Sequence, residues 1–193
     1  MKRISKIILF SAVAVLSIGF LFPSGSASAL PVVGFQAGRI IDDAIFTAKD
    51  SMNASQIQNF LNSKVPTCDT YGTQPSEYGG GTRAQWGQAK YGQSTFTCLK
   101  DYSENGKSAA QIINDKAQAY SINPQVLIVL LQKEQGLVTD TWPLNVQYRT
   151  AAGYGCPDTA PCDTQYYGLS NQLDWAAKMF RAIMNDSPTW YTP

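Results

Sequence analysis

The chain has 193 residues, with 15 basic and 14 acidic side chains, a net charge of +1 and no histidine. The absence of histidine excludes Ser-His-Asp and Cys-His catalysis and removes the commonest zinc ligand, so carboxylate acid/base work is among the few chemistries left. A charge this close to zero argues against a nucleic-acid partner, which requires a clearly basic face.

Lys2, Arg3 and Lys6 precede an apolar run from Ile7 to Phe22, and Ala27-Ser28-Ala29 supplies the small-residue pattern of a secretory cleavage site. Residues 1–29 therefore read as a signal peptide, with a mature start expected at Leu30 and a secreted, extracytoplasmic, cell-wall-associated destination. The run is broken by Ser11, Ser17 and Gly19 and closes at Pro23, which makes it short for a membrane span. An uncleaved anchor is the alternative, and it is the membrane contact the sequence offers. Removing 29 of 193 residues leaves 164, enough for one domain with its own core. The signal holds three basic residues and no acids, so the mature chain carries 12 basic residues against 14 acids.

Four cysteines remain, Cys68, Cys98, Cys156 and Cys162. In an exported chain an even number implies disulfides, and local pairing, Cys68–Cys98 and Cys156–Cys162, is the simplest arrangement. A four-thiolate zinc site is the rival, but neither pair has the close spacing of a zinc knuckle. No metal and no cofactor is expected.

Between Gly38 and Lys64, Ser51 or Asn53 can cap a helix with Ile57, Phe60 and Leu61 on one face. Pro66 to Gly92 is rich in Gly, Ser, Thr and Tyr around Gly79-Gly80-Gly81, and is expected as a long irregular segment tied by Cys68 and Cys98. Helical spacing returns at Ser108, an N-cap, with Ala109, Ile112, Ile113, Ala117 and Tyr120 inward. Asn123 caps the next helix, Pro124 takes its first position and Gly136 stops it; this stretch, the most apolar after the signal, is expected to be fully sunk in the core. Thr139 to Gln165 is expected to be irregular, and Leu169, Leu173, Ala176, Phe180 and Ile183 mark a final helix. The end, Ser187 to Pro193, reads as a loop without a closing helix, as in a fragment of something longer. The class is mainly α, with long cystine-tied loops, little or no β and no repeats. The domain reading is 1–29 signal, 30–107 helical and loop extension, and 108–193 core.

Leu127, Leu130 and Leu131 lie seven, four and three residues before Glu134, on its helix face, so Glu134 continues an apolar stripe. Apolar neighbours and the negative end of the helix dipole both favour the protonated acid, the form a general acid for glycosidic cleavage needs. Lys133 could oppose this, although sequence neighbours do not face each other on a helix. The alternative is a Glu134 that reaches solvent and pairs with a lysine.

The run from Ala117 through Tyr120, Asn123-Pro124 and the apolar helix to Glu134 resembles the active-site helix of the lysozyme-like superfamily, closest to soluble lytic transglycosylases and goose-type lysozymes. The likeness spans about residues 108–183 and implies a lysozyme-like helical core with Glu134 as the catalytic acid. It also implies a sugar groove lined by the Ala151-Ala152-Gly153-Tyr154-Gly155 turn and by Tyr166 to Gln172, including Asn171. Tyr148, Tyr154, Tyr166, Tyr167 and Trp142 are candidates to stack on or hydrogen-bond sugars. Gln135 stands where the family usually has serine, and the family's Gly-Leu-Met-Gln strip is absent.

The implied activity is cleavage of the β-1,4 bond between N-acetylmuramic acid and N-acetylglucosamine in peptidoglycan, by a lytic transglycosylase or a muramidase. A second carboxylate would be sought first at Asp140, then at Asp158 or Asp163. A non-catalytic cell-wall or surface-glycan binding module, lectin-like on a lysozyme scaffold, is the rival from another class, and a secreted structural protein is a third.

Overall fold

Capping chemistry sets where the helices begin. In the computed structural model, which describes residues 40–185, α1 (Asp43–Phe46) is a single turn and α2 (Ala54–Lys64) starts at Asn53. The Asn53 side chain accepts from the Gln56 N–H, and the Gln56 side chain accepts from the Asn53 N–H. Thr82 and Gln85 make the same reciprocal pair for α3 (Arg83–Tyr91), as do Ser108 and Gln111 for α4 (Ala109–Tyr120). The expected signal segment 1–29, the start at Leu30 and the end from Ser187 to Pro193 lie outside the described residues.

Asn123 caps α5 (Pro124–Gln135) by accepting from the Gln125 N–H at 2.9 Å, and Pro124 sits in the first turn. The same side chain donates to the Ile45 carbonyl at 3.0 Å and accepts from the Ser51 hydroxyl at 2.6 Å, so one buried amide ties α1 to the start of α5. Gly136, at φ 69°, ends the helix and lets Leu137 return to the core. α6 (Asn145–Arg149) and α7 (Leu169–Asn185) complete the helices, with 3₁₀ turns at Leu99–Asp101 and Thr164–Tyr166.

α4 is the central element, packed against α2, α5 and α7. Ile57 and Leu61 meet Ile112 and Ile113, Leu127 and Leu131, and Leu169 and Leu173 in one core. Burying each such side chain contributes about 1.5–3 kcal/mol. Residues on both sides of position 107 fill this core, and residues 40–185 fall within one compact unit. The mainly α class holds, as do both local disulfides, Cys68–Cys98 and Cys156–Cys162.

Two details differ from expectation. α3 and α6 lie inside segments expected to be irregular. α5 is not fully sunk, because Val129 is 64% exposed. The little β expected is a short antiparallel hairpin that joins β1 (Ser103–Glu104) to β2 (Lys107–Ser108), turned by Asn105 and Gly106, both at positive φ. Ile183, near the end of α7, is 37% exposed.

Glu104 gives the hairpin a purpose. Its carboxylate accepts from the Leu169 N–H at 2.9 Å and the Ser170 N–H at 3.2 Å, neutralising donors that α7 leaves unpaired at its start. Tyr102 donates to the same carboxylate at 3.1 Å. The direction of α7 is thus fixed at its origin, and α7 builds one wall of the site.

Candidate functional site

Helical spacing places Leu130 and Glu134 one turn apart on α5, half-buried, while Leu127 and Leu131 are fully buried beside them. The apolar stripe therefore divides, one edge facing the core and the other facing a groove of about 740 Å³. The opposite walls are the turn from Ala152 to Gly155, Tyr166, and the α7 residues Ala176, Met179 and Phe180. This volume lies in the usual range for small-molecule sites. Glu134 is the one acid among the described residues lining the groove.

The Glu134 side chain is 30% exposed, and its two oxygens have different surroundings. Oε1 accepts from Lys133 Nζ at 2.7 Å, although the two are adjacent in sequence. Oε2 is turned to the Gly153 turn, where a Cβ added at Gly153 would lie 3.2 Å away. Gly153 has φ +68°, a conformation that favours glycine, and a side chain there would also press on the Glu134 carboxylate, which would have to shift by a few tenths of an ångström.

The turn itself hangs on Gln172 of α7, which is fully buried. Its Oε1 accepts from the Ala152 N–H at 3.1 Å and the Tyr154 N–H at 3.0 Å; its Nε2 donates to the Tyr154 and Tyr166 carbonyls, both at 2.8 Å. One amide thereby fixes two stretches of irregular chain. Trp175, three residues further along α7, stacks on Tyr154 at 5.6 Å and meets the edge of Tyr166 at 5.2 Å. The Cys156–Cys162 disulfide closes the loop between these tyrosines, and a side chain at Gly155 would collide with the Tyr166 ring.

A protein-family profile described as LasA, N-terminal domain, matches residues 39–186. The chain belongs to the LasA N-terminal domain family. The match takes in every element from α1 to α7 and the whole groove around Glu134. Neither the curated proteins nor the solved structures compared gave a match.

Within this LasA N-terminal domain, the groove brings together Glu134, Gly153, Tyr154 and Tyr166 of the residues expected there. Others fall elsewhere. Tyr148 is buried, stacked on Tyr102 at 3.9 Å and donating to the Thr97 carbonyl at 2.7 Å, so it packs the core rather than meeting a ligand. Burial pushes its phenol well up and that of Tyr102 up to about 12, and both remain neutral. Asn171 donates to the Gln165 carbonyl at 2.6 Å, and the Tyr167 ring lies under Arg149 at 5.0 Å. Both hold the loop before α7.

Trp142 and Asp140 line a different hollow, beside α3. Asp140 accepts from the Trp142 N–H and from Gln147 Nε2, both at 2.9 Å, which uses it as a turn anchor rather than as a partner of Glu134. Asp163 caps the turn at Thr164–Tyr166. Gln135, the departure after the acid, donates to the Thr150 carbonyl at 3.2 Å and so links the end of α5 to the start of the Gly153 turn. Among the described residues no group of three or more cysteine, aspartate or glutamate side chains could hold a metal ion.

Sequence reasoning missed Lys133, Leu130, Trp175, Met179 and Phe180 as site residues. A signal existed for two of them. Trp175 and Met179 follow Gln172, already expected at the groove, at intervals of three and four on a helix otherwise read only for its apolar face.

Proposed function

We propose that this protein is a secreted peptidoglycan-cleaving glycosidase that cuts the β-1,4 bond between N-acetylmuramic acid and N-acetylglucosamine, with Glu134 as general acid. The observation that carries the reading is the seating of Glu134, with Oε2 against the Gly153 turn in a groove whose walls are aromatic and apolar. Membership of the LasA N-terminal domain family fits an exported protein that acts on the cell wall, and residues 1–29 fit the same destination. The likeness of Ala117 to Glu134 to the lysozyme-like active-site helix supports the choice of acid.

In this mechanism Glu134 Oε2 gives its proton to the glycosidic oxygen as the bond from that oxygen to C1 breaks, and the sugar left behind takes on oxocarbenium character. Lys133, on an exposed stem, moves off Oε1 as the glycan enters. A hydrolase of the two-carboxylate type needs a second acid about 5–9 Å away. Asp140 sits in another hollow with its oxygens already engaged, which supports single-acid chemistry. The substrate's own 6-hydroxyl then attacks C1, its proton returns to Glu134, and a 1,6-anhydro sugar is released. Lytic transglycosylase is therefore the preferred reading over muramidase.

A non-catalytic glycan-binding module is the second reading. The Lys133–Glu134 ion pair favours it, since a salt bridge at a helix end is also what a purely structural acid makes. Clearing of a sacculus suspension separates the two. The Glu134→Gln variant of the enzyme should clear about 10²–10⁴-fold more slowly than the parent, whereas a binding module clears nothing in either form.

A further inference from the structure

Away from the Glu134 groove, a hollow of about 560 Å³ opens between α3 and the turn that follows α5. Four aromatic rings meet there. Tyr78 stacks on Trp86 with centroids 4.7 Å apart and planes at 27°; Trp86 in turn contacts Tyr91 and Trp142, each at 5.6 Å. Tyr78 is 70% exposed and Tyr91 is also exposed, an arrangement that burial alone does not account for.

The rim is polar and rigid. Asp140 presents a carboxylate, and Gln147 is fixed by donating to Asp140 and to the Gln135 carbonyl and by accepting from the Leu144 N–H. Since Gln135 follows Glu134, the hollow is anchored to the helix end that carries the acid. Arg83 packs over Trp142 at 5.2 Å and pairs with Glu77 and Asp69, so the charge of Glu77, at the hollow's edge, is already answered.

We propose that Tyr78, Trp86, Tyr91 and Trp142 form a second glycan-binding surface, separate from the Glu134 groove, which takes an amino-sugar ring on its aromatic faces while the acceptor lone pairs that Asp140 and Gln147 Oε1 have left receive the ring's hydroxyl and amide hydrogens. A sugar offers apolar C–H faces and a ring of donors, and this surface offers stacked rings beside an acceptor-only carboxylate. A cage for a quaternary ammonium is the competing use of aromatic residues near a carboxylate. Such a cage holds its walls apart around the cation, whereas these rings pack against one another at 4.7–6.0 Å, with planes 27–77° apart, and present a faceted aromatic platform. The choice of an amino sugar rests on the cell-wall reading above; the platform itself does not.

The test uses the full chain in the Glu134→Gln background, so that bound glycan is not cut. Sedimentation with purified sacculi and titration with the soluble N-acetylglucosamine tetramer, followed by tryptophan fluorescence, are the two readouts. Tyr78→Ala and Trp86→Ala should each weaken retention about tenfold, the loss of one aromatic contact. Tyr78→Phe should bind as the parent does, and the exposure of Tyr78 ensures that its alanine variant still folds, which an unchanged melting temperature verifies. If both alanine variants sediment like the parent, or if choline displaces the bound protein while the tetramer does not, the proposal is wrong. A protein that releases no muropeptides yet loses sacculus binding in the aromatic variants would sink the cleavage reading and leave the platform standing. Cleavage by the parent with unchanged binding by the aromatic variants would do the reverse.

Discussion

Gln172 holds both ends of the Tyr154 peptide, accepting its N–H at 3.0 Å and donating to its carbonyl at 2.8 Å. Because the amide is fully buried and also serves Ala152 and Tyr166, its removal takes the partner from several backbone groups at once. Gln172→Leu keeps the size and removes every bond. It should lower unfolding free energy by roughly 3 kcal/mol, the sum expected when buried groups lose their partners, as read by urea denaturation.

Two glycines separate backbone strain from site geometry. Gly153 and Gly136 have nearly the same positive φ, +68° and +69°, but only at Gly153 does an added Cβ meet Glu134; at Gly136 it meets nothing within 4 Å. Alanine at either position should cost about 1 kcal/mol of stability. Only Gly153→Ala should also depress activity, because its methyl group pushes on Oε2. Equal loss of activity in the two variants would show that the contact with Glu134 is irrelevant.

Acid sensitivity should come from the clamp around Arg83. Burial raises the carboxyl of Asp69, but the N–H groups of Thr73 and Gln74, the Thr73 hydroxyl and Arg83 outweigh it and hold it below its ordinary 3.8. The hydrogen bond from Arg83 holds Glu77 below 4.5. A depressed carboxyl adds stability that is complete above its unfolded value and is lost as pH falls through its folded one. Melting temperature should therefore fall below about pH 4. The Asp69→Asn variant should show a shallower acid limb and a lower plateau at neutral pH.

The disulfides should contribute unequally. Cys68–Cys98 spans 30 residues and Cys156–Cys162 spans 6. Chain entropy assigns them about 4 and about 2 kcal/mol respectively. Replacing the first pair with serine should lower melting temperature more. Replacing the second should spare the core and lower activity, since it frees the loop between Gly155 and Tyr166.

The sequence disclosed the parts of this fold that follow from local rules. Asn123-Pro124 at a helix start, Gly136 at its end and the period of Leu169 and Leu173 each have one physical solution, and the structure adopts it. α3 follows the same rule, since Thr82 and Gln85 form a capping box, but the Gly79-Gly80-Gly81 run before it has the composition of a loop. Asn105-Gly106, a strong hairpin turn, was equally available. The site was harder because its walls are joined over long range. Gln172 reaches back 18 residues to Tyr154, and Glu104 reaches forward 65 to Leu169, and no periodicity encodes either bond. The aromatic residues divided for the same reason: spacing shows that Tyr148 and Tyr154 exist, not that one stacks on Tyr102 in the core while the other lines the groove.

Mass spectrometry of the fragments released from purified sacculi decides whether Glu134 delivers a proton to a glycosidic oxygen. The parent should release muropeptides ending in 1,6-anhydro-N-acetylmuramic acid, and the Glu134→Gln variant should release essentially none. Equal release by the two proteins, or no release by the parent at concentrations where it binds sacculi, would mean that Glu134 is not a glycosidase acid.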